Sequence, residues 1–117
     1  MMRTRVLVAD DLSSVLSAVA ALLSESFDLV GMVSDGRTAL ETTLNLKPDV
    51  VILDISMPEM NGIECVRLLK EDCPRTQFMM FTIYENDEKV FQALEAGASG
   101  YLLKNSTPEQ ILSLIHI

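Results

Sequence analysis

The chain has few of the groups that build metal cages or disulfide frameworks. It carries two cysteines, Cys65 and Cys73, and one histidine, His116. Two thiols and one imidazole cannot supply the usual four ligands of a zinc site. With no secretory signal ahead of them, the thiols read as reduced residues of a cytoplasmic protein. Long apolar runs are missing as well. No stretch approaches the roughly 18 residues of a membrane span. Two basic residues near the start precede a short apolar run that Asp10 and Asp11 cut off, which is not a signal peptide. Positive charge is scarce: 9 Lys plus Arg face 17 Asp plus Glu, a net charge of −8. That field repels phosphate backbones and argues against nucleic-acid binding by this chain itself. Linkers, internal repeats and low-complexity tracts are also lacking, and 117 residues suit one domain over residues 1–117.

What is present is globular. Hydrophobic residues make up 49% and charged residues 22%. The mean hydropathy of +0.28 is high for a free-standing domain and suggests apolar surface covered by a partner. Short apolar runs alternate with longer amphipathic ones. Strands are expected over 6–9, 29–33, 49–55, 77–82 and 99–103. Helices are expected over 12–24, 37–46, from Asn61 through Cys73, over 86–96 and from Thr107 onward. Asp49 to Ile55 is apolar on both faces, as a central parallel strand covered by helices must be. Asn61 with Glu64, and Thr107 with Gln110, have capping-box spacing. Gly97 suits a left-handed helix end. The pattern is (βα)₅, an α/β domain with a parallel sheet wrapped on both faces.

Ligands of such sheets bind outside the carboxyl ends of the strands. The first strand ends in Asp10-Asp11, the third in Asp54, the fourth in Thr82 and the fifth in Lys104. Each alone has an ordinary reading: a capping Asp, a β-forming Thr, a solvated Lys. Five at one edge of one sheet are much harder to dismiss. Carboxylates at ~4 Å, with an effective dielectric of ~20, repel by roughly 4 kcal/mol per pair. A proton or a divalent cation must relieve that, and an oxygen-only ligand set favours Mg²⁺. Lys104 adds an ammonium and Thr82 a hydroxyl donor. A cation, an ammonium and a hydroxyl around one carboxylate form a cradle for a phosphoryl group, with Asp54 as nucleophile.

This set resembles the receiver domain of two-component response regulators. The resemblance rests on Val-Leu-Val-Ala-Asp-Asp at 6–11, Val-Val-Ile-Leu-Asp-Ile-Ser-Met-Pro-Glu-Met-Asn-Gly at 50–62, Phe-Thr at 81–82 and Ala-Gly-Ala-Ser-Gly-Tyr-Leu-Leu-Lys at 96–104. The last piece is similar to the NarL/FixJ/LuxR branch, whose members carry a C-terminal helix-turn-helix domain. The resemblance implies a flavodoxin-like fold with strand order 2-1-3-4-5. It implies that Asp54 accepts a phosphoryl group from a sensor histidine kinase. Asp11, Asp10 (through water), Asp54 and the backbone carbonyl of Ser56 would serve Mg²⁺. Thr82 and Lys104 would hold phosphoryl oxygens. The implied switch is Thr82 moving toward the phosphoryl group while Tyr101 turns inward, which reshapes the face of helix 4, strand 5 and helix 5. The chain is then a regulator, not an enzyme acting on outside substrates.

Departures from the pattern are specific. Ile83 stands where many receivers have a small residue, and Asn105 where many have Pro. Ser56 and Tyr84 occupy variable positions two beyond Asp54 and Thr82; Tyr84 reads equally as a shield of the site or a surface aromatic. Pro58 restricts Met57 to extended geometry. Cys65 reads as a small buried hydrophobe, Cys73 as inert and Met79-Met80 as core. A phosphoryl role for His116 is not expected. Leu12 to Ser24 has no charge, and the last helix is apolar nearly all round. A homodimer through helices 1 and 5, or over helix 4, strand 5 and helix 5, is one reading. Serines forming the wet face of helix 1, and a last helix cut short, are the other.

Two other functions compete for the same residues. A haloacid-dehalogenase-type phosphatase puts its nucleophile on the first strand as Asp-x-Asp, whereas Asp10 and Asp11 are adjacent and there is no room for a cap domain. A flavin carrier needs a phosphate loop after the first strand, and Asp10-Asp11-Leu12 would repel the phosphate.

Overall fold

The computed structural model describes residues 3–115. Readings placed on His116 and on the two residues at either terminus fall outside them, and so does the side chain of Leu114. The described elements are β1 (Arg5–Ala9), α1 (Ser13–Leu23), β2 (Asp28–Val33), α2 (Gly36–Leu46), β3 (Val50–Leu53), α3 (Gly62–Leu69), β4 (Gln77–Thr82), α4 (Asp87–Ala96), β5 (Gly100–Leu103) and α5 (Pro108–Ile115). The strands form one parallel sheet in the order β2-β1-β3-β4-β5. This is the expected flavodoxin-like arrangement.

The sheet is central because its strand residues are apolar on both sides. Side chains alternate between faces at a period of two. Leu7, Ala9, Val51, Leu53, Phe78 and Met80 face one cluster, which is completed by residues of α2, α3 and α4. Val6, Val8, Val50, Ile52, Met79 and Phe81 face the other, completed by α1 and α5. Polar residues at the right positions stop and start the helices. Asp35, Asn61 and Asn86 each accept a hydrogen bond from a first-turn N–H. Thr107 and Gln110 cap each other reciprocally. Glu64 reaches back to the side-chain amide of Asn61 rather than to its backbone. Gly97 has φ 117 at the end of α4.

Most expected boundaries agree to within one residue, and two elements shift further. The central strand is Val50–Leu53, shorter than 49–55; Asp49 and Asp54 flank it, their backbone N–H groups still bonded to β1. α3 ends at Leu69, so Cys73 lies in the following turn, where it is buried and its N–H donates to Leu69 O. Cys65, Met79 and Met80 are core, as expected. On α1, Ser13, Ser14 and Ser17 are exposed, as is Ser24 just past its end, so the serines do furnish its wet face. Among the described residues, no helix is long and apolar enough to cross a membrane.

Candidate phosphoryl-acceptor site

The sheet fixes the backbone of the site before any side chain is considered. Asp10, Asp54 and Lys104 are each the first residue beyond a strand. Their N–H groups continue the ladder, donating to Val33 O (3.0 Å), Ala9 O (3.0 Å) and Thr82 O (2.8 Å) respectively. Thr82 is the last residue of β4. Four of the five expected residues therefore converge at one edge because the chain leaves the sheet there. Asp11 follows on the exposed side.

Asp10 and Asp54 are buried, with relative exposures of 1% and 5%. Buried carboxylates need partners, and these have them. Asp54 Oδ1 accepts from Ile55 N at 2.7 Å, and Asp54 Oδ2 from Lys104 Nζ at 2.9 Å. Asp10 Oδ1 accepts from Leu12 N at 3.0 Å. Lys104 Nζ is also 2.9 Å from Asp10 Oδ2, but as an ion pair without hydrogen-bond geometry, so this oxygen is buried with no hydrogen bond. Burial pulls the lysine pKa down. The polar contacts to Asp10 and Asp54, and the charges of both, pull it up and prevail. The ammonium stays charged.

Asp10, Asp11 and Asp54 each offer a carboxylate oxygen within 4.8 Å of the others. One ammonium against three carboxylates leaves two negative charges. An oxygen-only donor set with a hydrogen-bond-free buried oxygen fits a hard divalent cation. Ser56 is exposed in the loop after Asp54, and the backbone there is shaped by glycine. A Cβ on Gly62 would lie 2.0 Å from Asp54 O, and one on Gly36 would lie 1.8 Å from Met60 O. Gly62 N donates to Ile55 O at 2.8 Å, and Gly36 N to Pro58 O at 3.0 Å. These glycines hold the loop against the site. The sequence assigned neither glycine this role, because close approach of two backbones leaves no periodic signal.

On the other flank, Thr82 is fully buried and its Oγ1 accepts from Tyr84 N at 3.5 Å. Tyr101 OH donates to Tyr84 O at 2.7 Å. Burial raises the Tyr101 pKa, and the charge of Asp54 raises it further, so this hydroxyl remains a donor. Tyr84 is half-buried against the α2–α3–α4 cluster with Tyr101 and Met57, which is not a freely solvated aromatic. Ile83 points to solvent at 72% exposure. No peptide bond among the described residues is cis, so Lys104–Asn105 is trans and the lysine still reaches both acids. The Tyr84 backbone, where Thr82 and Tyr101 meet, was not legible in the sequence; backbone N–H and C=O groups carry no residue-type signature.

Comparison with known proteins gives a consistent picture. The family model described as response regulator receiver domain matches residues 6–116. The nitrate/nitrite response regulator protein NarL of Escherichia coli is 36% identical over 113 residues, covering 95% of this chain and 52% of that protein. The receiver domain of the putative response regulator NarL from Mycobacterium tuberculosis superposes with a TM-score of 0.95 at 33% identity, covering 99% of this chain and 95% of that one. A complex of CheX and CheY with BeF₃ and Mg²⁺ from Borrelia burgdorferi superposes at 0.91 with 26% identity, covering 97% and 87%. The chain spans about half the length of the curated relatives it matches.

Proposed function

The chain belongs to the response regulator receiver domain family, and from that premise we propose that it is a phosphorylation-dependent switch with Asp54 as acceptor. Its relatives are NarL- and LuxR-type regulators, which ties the family to two-component signalling and transcription regulation. One observation carries the finer reading: a buried carboxylate, Asp54, is held by Lys104, which also pairs with Asp10, beside the buried hydroxyl of Thr82.

The chemistry follows from these groups. An oxygen of Asp54 attacks the phosphorus of a phosphohistidine on a sensor histidine kinase. The new P–O bond forms as the P–N bond breaks, and the imidazole leaves with that electron pair. Lys104 follows a phosphoryl oxygen with its charge, and the Thr82 hydroxyl donates to another. Asp10, Asp11, Asp54 and the backbone carbonyl of Ser56 would hold Mg²⁺, which when bound neutralises charge on the transferred group. Water later cleaves the acyl phosphate to inorganic phosphate. Each chain carries one phosphoryl group and turns over no outside substrate, so it is not an enzyme in the usual sense.

Phosphorylation turns one negative charge into roughly two and adds acceptor oxygens. Thr82 and the Tyr84 backbone respond first, and Tyr101 with them, since the three are hydrogen-bonded in series. The face of α4, β5 and α5 reads the change, where Phe91 and Leu94 are exposed. In a longer protein that face would control an attached DNA-binding domain in the cytoplasm. A second copy of the chain is the partner proposed for α1 with α5 or for that face; sedimentation that stays monomeric with and without an acyl-phosphate mimic overturns this. For the switch itself, acetyl phosphate with Mg²⁺ should add one phosphoryl mass to the wild type and none to Asp54→Asn. No labelling of the wild type sinks the reading.

A further inference from the structure

Tyr84 is held from three directions. Its N–H meets Thr82 Oγ1 at 3.5 Å, its carbonyl accepts from Tyr101 OH at 2.7 Å, and the Lys89 ammonium lies 5.6 Å from its ring centroid. The first two bonds belong to the site and to β5. The third comes from α4, and nothing in the proposed chemistry uses it. Lys89 is itself fixed: it sits in the first turn of α4, and its backbone N–H donates to the capping Asn86 Oδ1 at 3.1 Å. Its side chain is partly buried, unlike those of Asp87 and Glu88 before it.

We propose that Lys89 is a positioning residue for phosphoryl transfer, holding Tyr84 by a cation–π contact so that Thr82 presents its hydroxyl to the group on Asp54; this rests on the reading above. The physical chain is short. Tyr84 N–H occupies an acceptor lone pair of Thr82 Oγ1, and among the described residues that oxygen donates to nothing. Its hydrogen is therefore free for a phosphoryl oxygen, and the Tyr84 N–H sets where that hydroxyl sits. Tyr101 and Lys89 grip Tyr84 from opposite elements, the sheet edge and the helix. The same contact makes the first turn of α4 sensitive to the site, since coupling between two sites is reciprocal.

A partly exposed cation–π contact shifts a two-state balance by roughly two- to fivefold. The test uses acetyl phosphate and Mg²⁺ with intact-mass detection, and NMR of the Lys89 side chain. Lys89→Met should be labelled about two- to fivefold more slowly, while Lys89→Arg, which keeps the cation, should match the wild type. In a Tyr84→Leu background Lys89→Met should have no further effect. The Lys89 Cε resonance should move on addition of the donor in the wild type and stay put in Asp54→Asn. Labelling of Lys89→Met at the wild-type rate, or failure of Lys89→Arg to rescue, overturns the role of Lys89 and leaves the switch standing. A wild type that takes no label at all overturns the switch, and the role of Lys89 with it.

Discussion

The two ends of the sheet use charge in opposite ways. At the amino end Arg5, Asp49 and Thr76 are spent on backbone. Arg5 Nη1 donates to Leu46 O at 2.8 Å and Lys47 O at 3.2 Å, closing the end of α2. Asp49 Oδ2 accepts from Arg5 N at 2.8 Å, and Thr76 Oγ1 donates to Pro48 O at 2.8 Å. These contacts tie neighbouring chain segments, and Arg5 and Asp49 themselves reach water. At the carboxyl end, acids are buried in excess over their one lysine, and an Asp10 oxygen has no hydrogen bond. A fold seeking stability alone would not leave it so. Polar groups that bind backbone mark where the chain is stapled; polar groups that bind each other incompletely mark where a ligand is expected.

The largest effect that tests this contrast is at Lys104. Without it, two buried acids face each other unpaired, and breaking a buried pair costs about 4 kcal/mol. Lys104→Met should therefore unfold at much lower urea in chelator. Millimolar Mg²⁺ should restore more stability to the variant than it adds to the wild type, because the ion takes over the missing charge. An equal gain in both would mean that the acids do not form the ion's site. Gly62→Ala comes next. Its Cβ would strike Asp54 O, so loop and strand end must separate, at about 3 kcal/mol. Urea unfolding and acetyl-phosphate labelling should fall together. A variant that is destabilised but labelled normally would show the loop to be scaffold only.

The two ends were unequally legible in the sequence. The fold was readable from Val-Val-Ile-Leu at 50–53 and its alternation with capped helices, since period and caps are local properties of the chain. The charged site residues were readable for a related reason: in a parallel sheet the residue following a strand falls at the ligand-binding edge, so Asp10, Asp54 and Lys104 announce themselves. The amino-end staples did not. Arg5 and Leu46 are bound through a backbone carbonyl, and Thr76 through another, so no residue type records the partner. The Tyr84 hub was hidden in the same way.

At the amino end the matching prediction is Thr76→Val. It keeps the shape and strands the buried Pro48 carbonyl, costing about 2 kcal/mol. Urea unfolding should shift by that amount while phosphoryl labelling of the folded protein stays at the wild-type rate. A change in labelling would mean that the ends are coupled through β4, and the separation drawn above would fail.

The smallest effect concerns Cys65, an ionisable group buried without a counter-charge. Its thiol donates to Gly36 O at 3.3 Å and is fully covered. Burial, then the charges of Glu64 and Asp35, push its pKa from 9.0 to about 11. The folded state thus keeps a proton that the unfolded chain releases first. Stability is unaffected well below pH 9, falls as pH rises through 9 towards 11, and is lower by about 1.4 kcal/mol at pH 10. Other groups titrate in that window, so the observable is the difference between wild type and Cys65→Ala. The wild type should lose about 1.3 kcal/mol more between pH 8 and pH 10, and its thiol should resist alkylation until the chain unfolds. Parallel pH profiles for the two proteins would mean that the thiolate finds a stabilising partner at the helix start, and that this buried group belongs with the carboxyl-end acids rather than with the core.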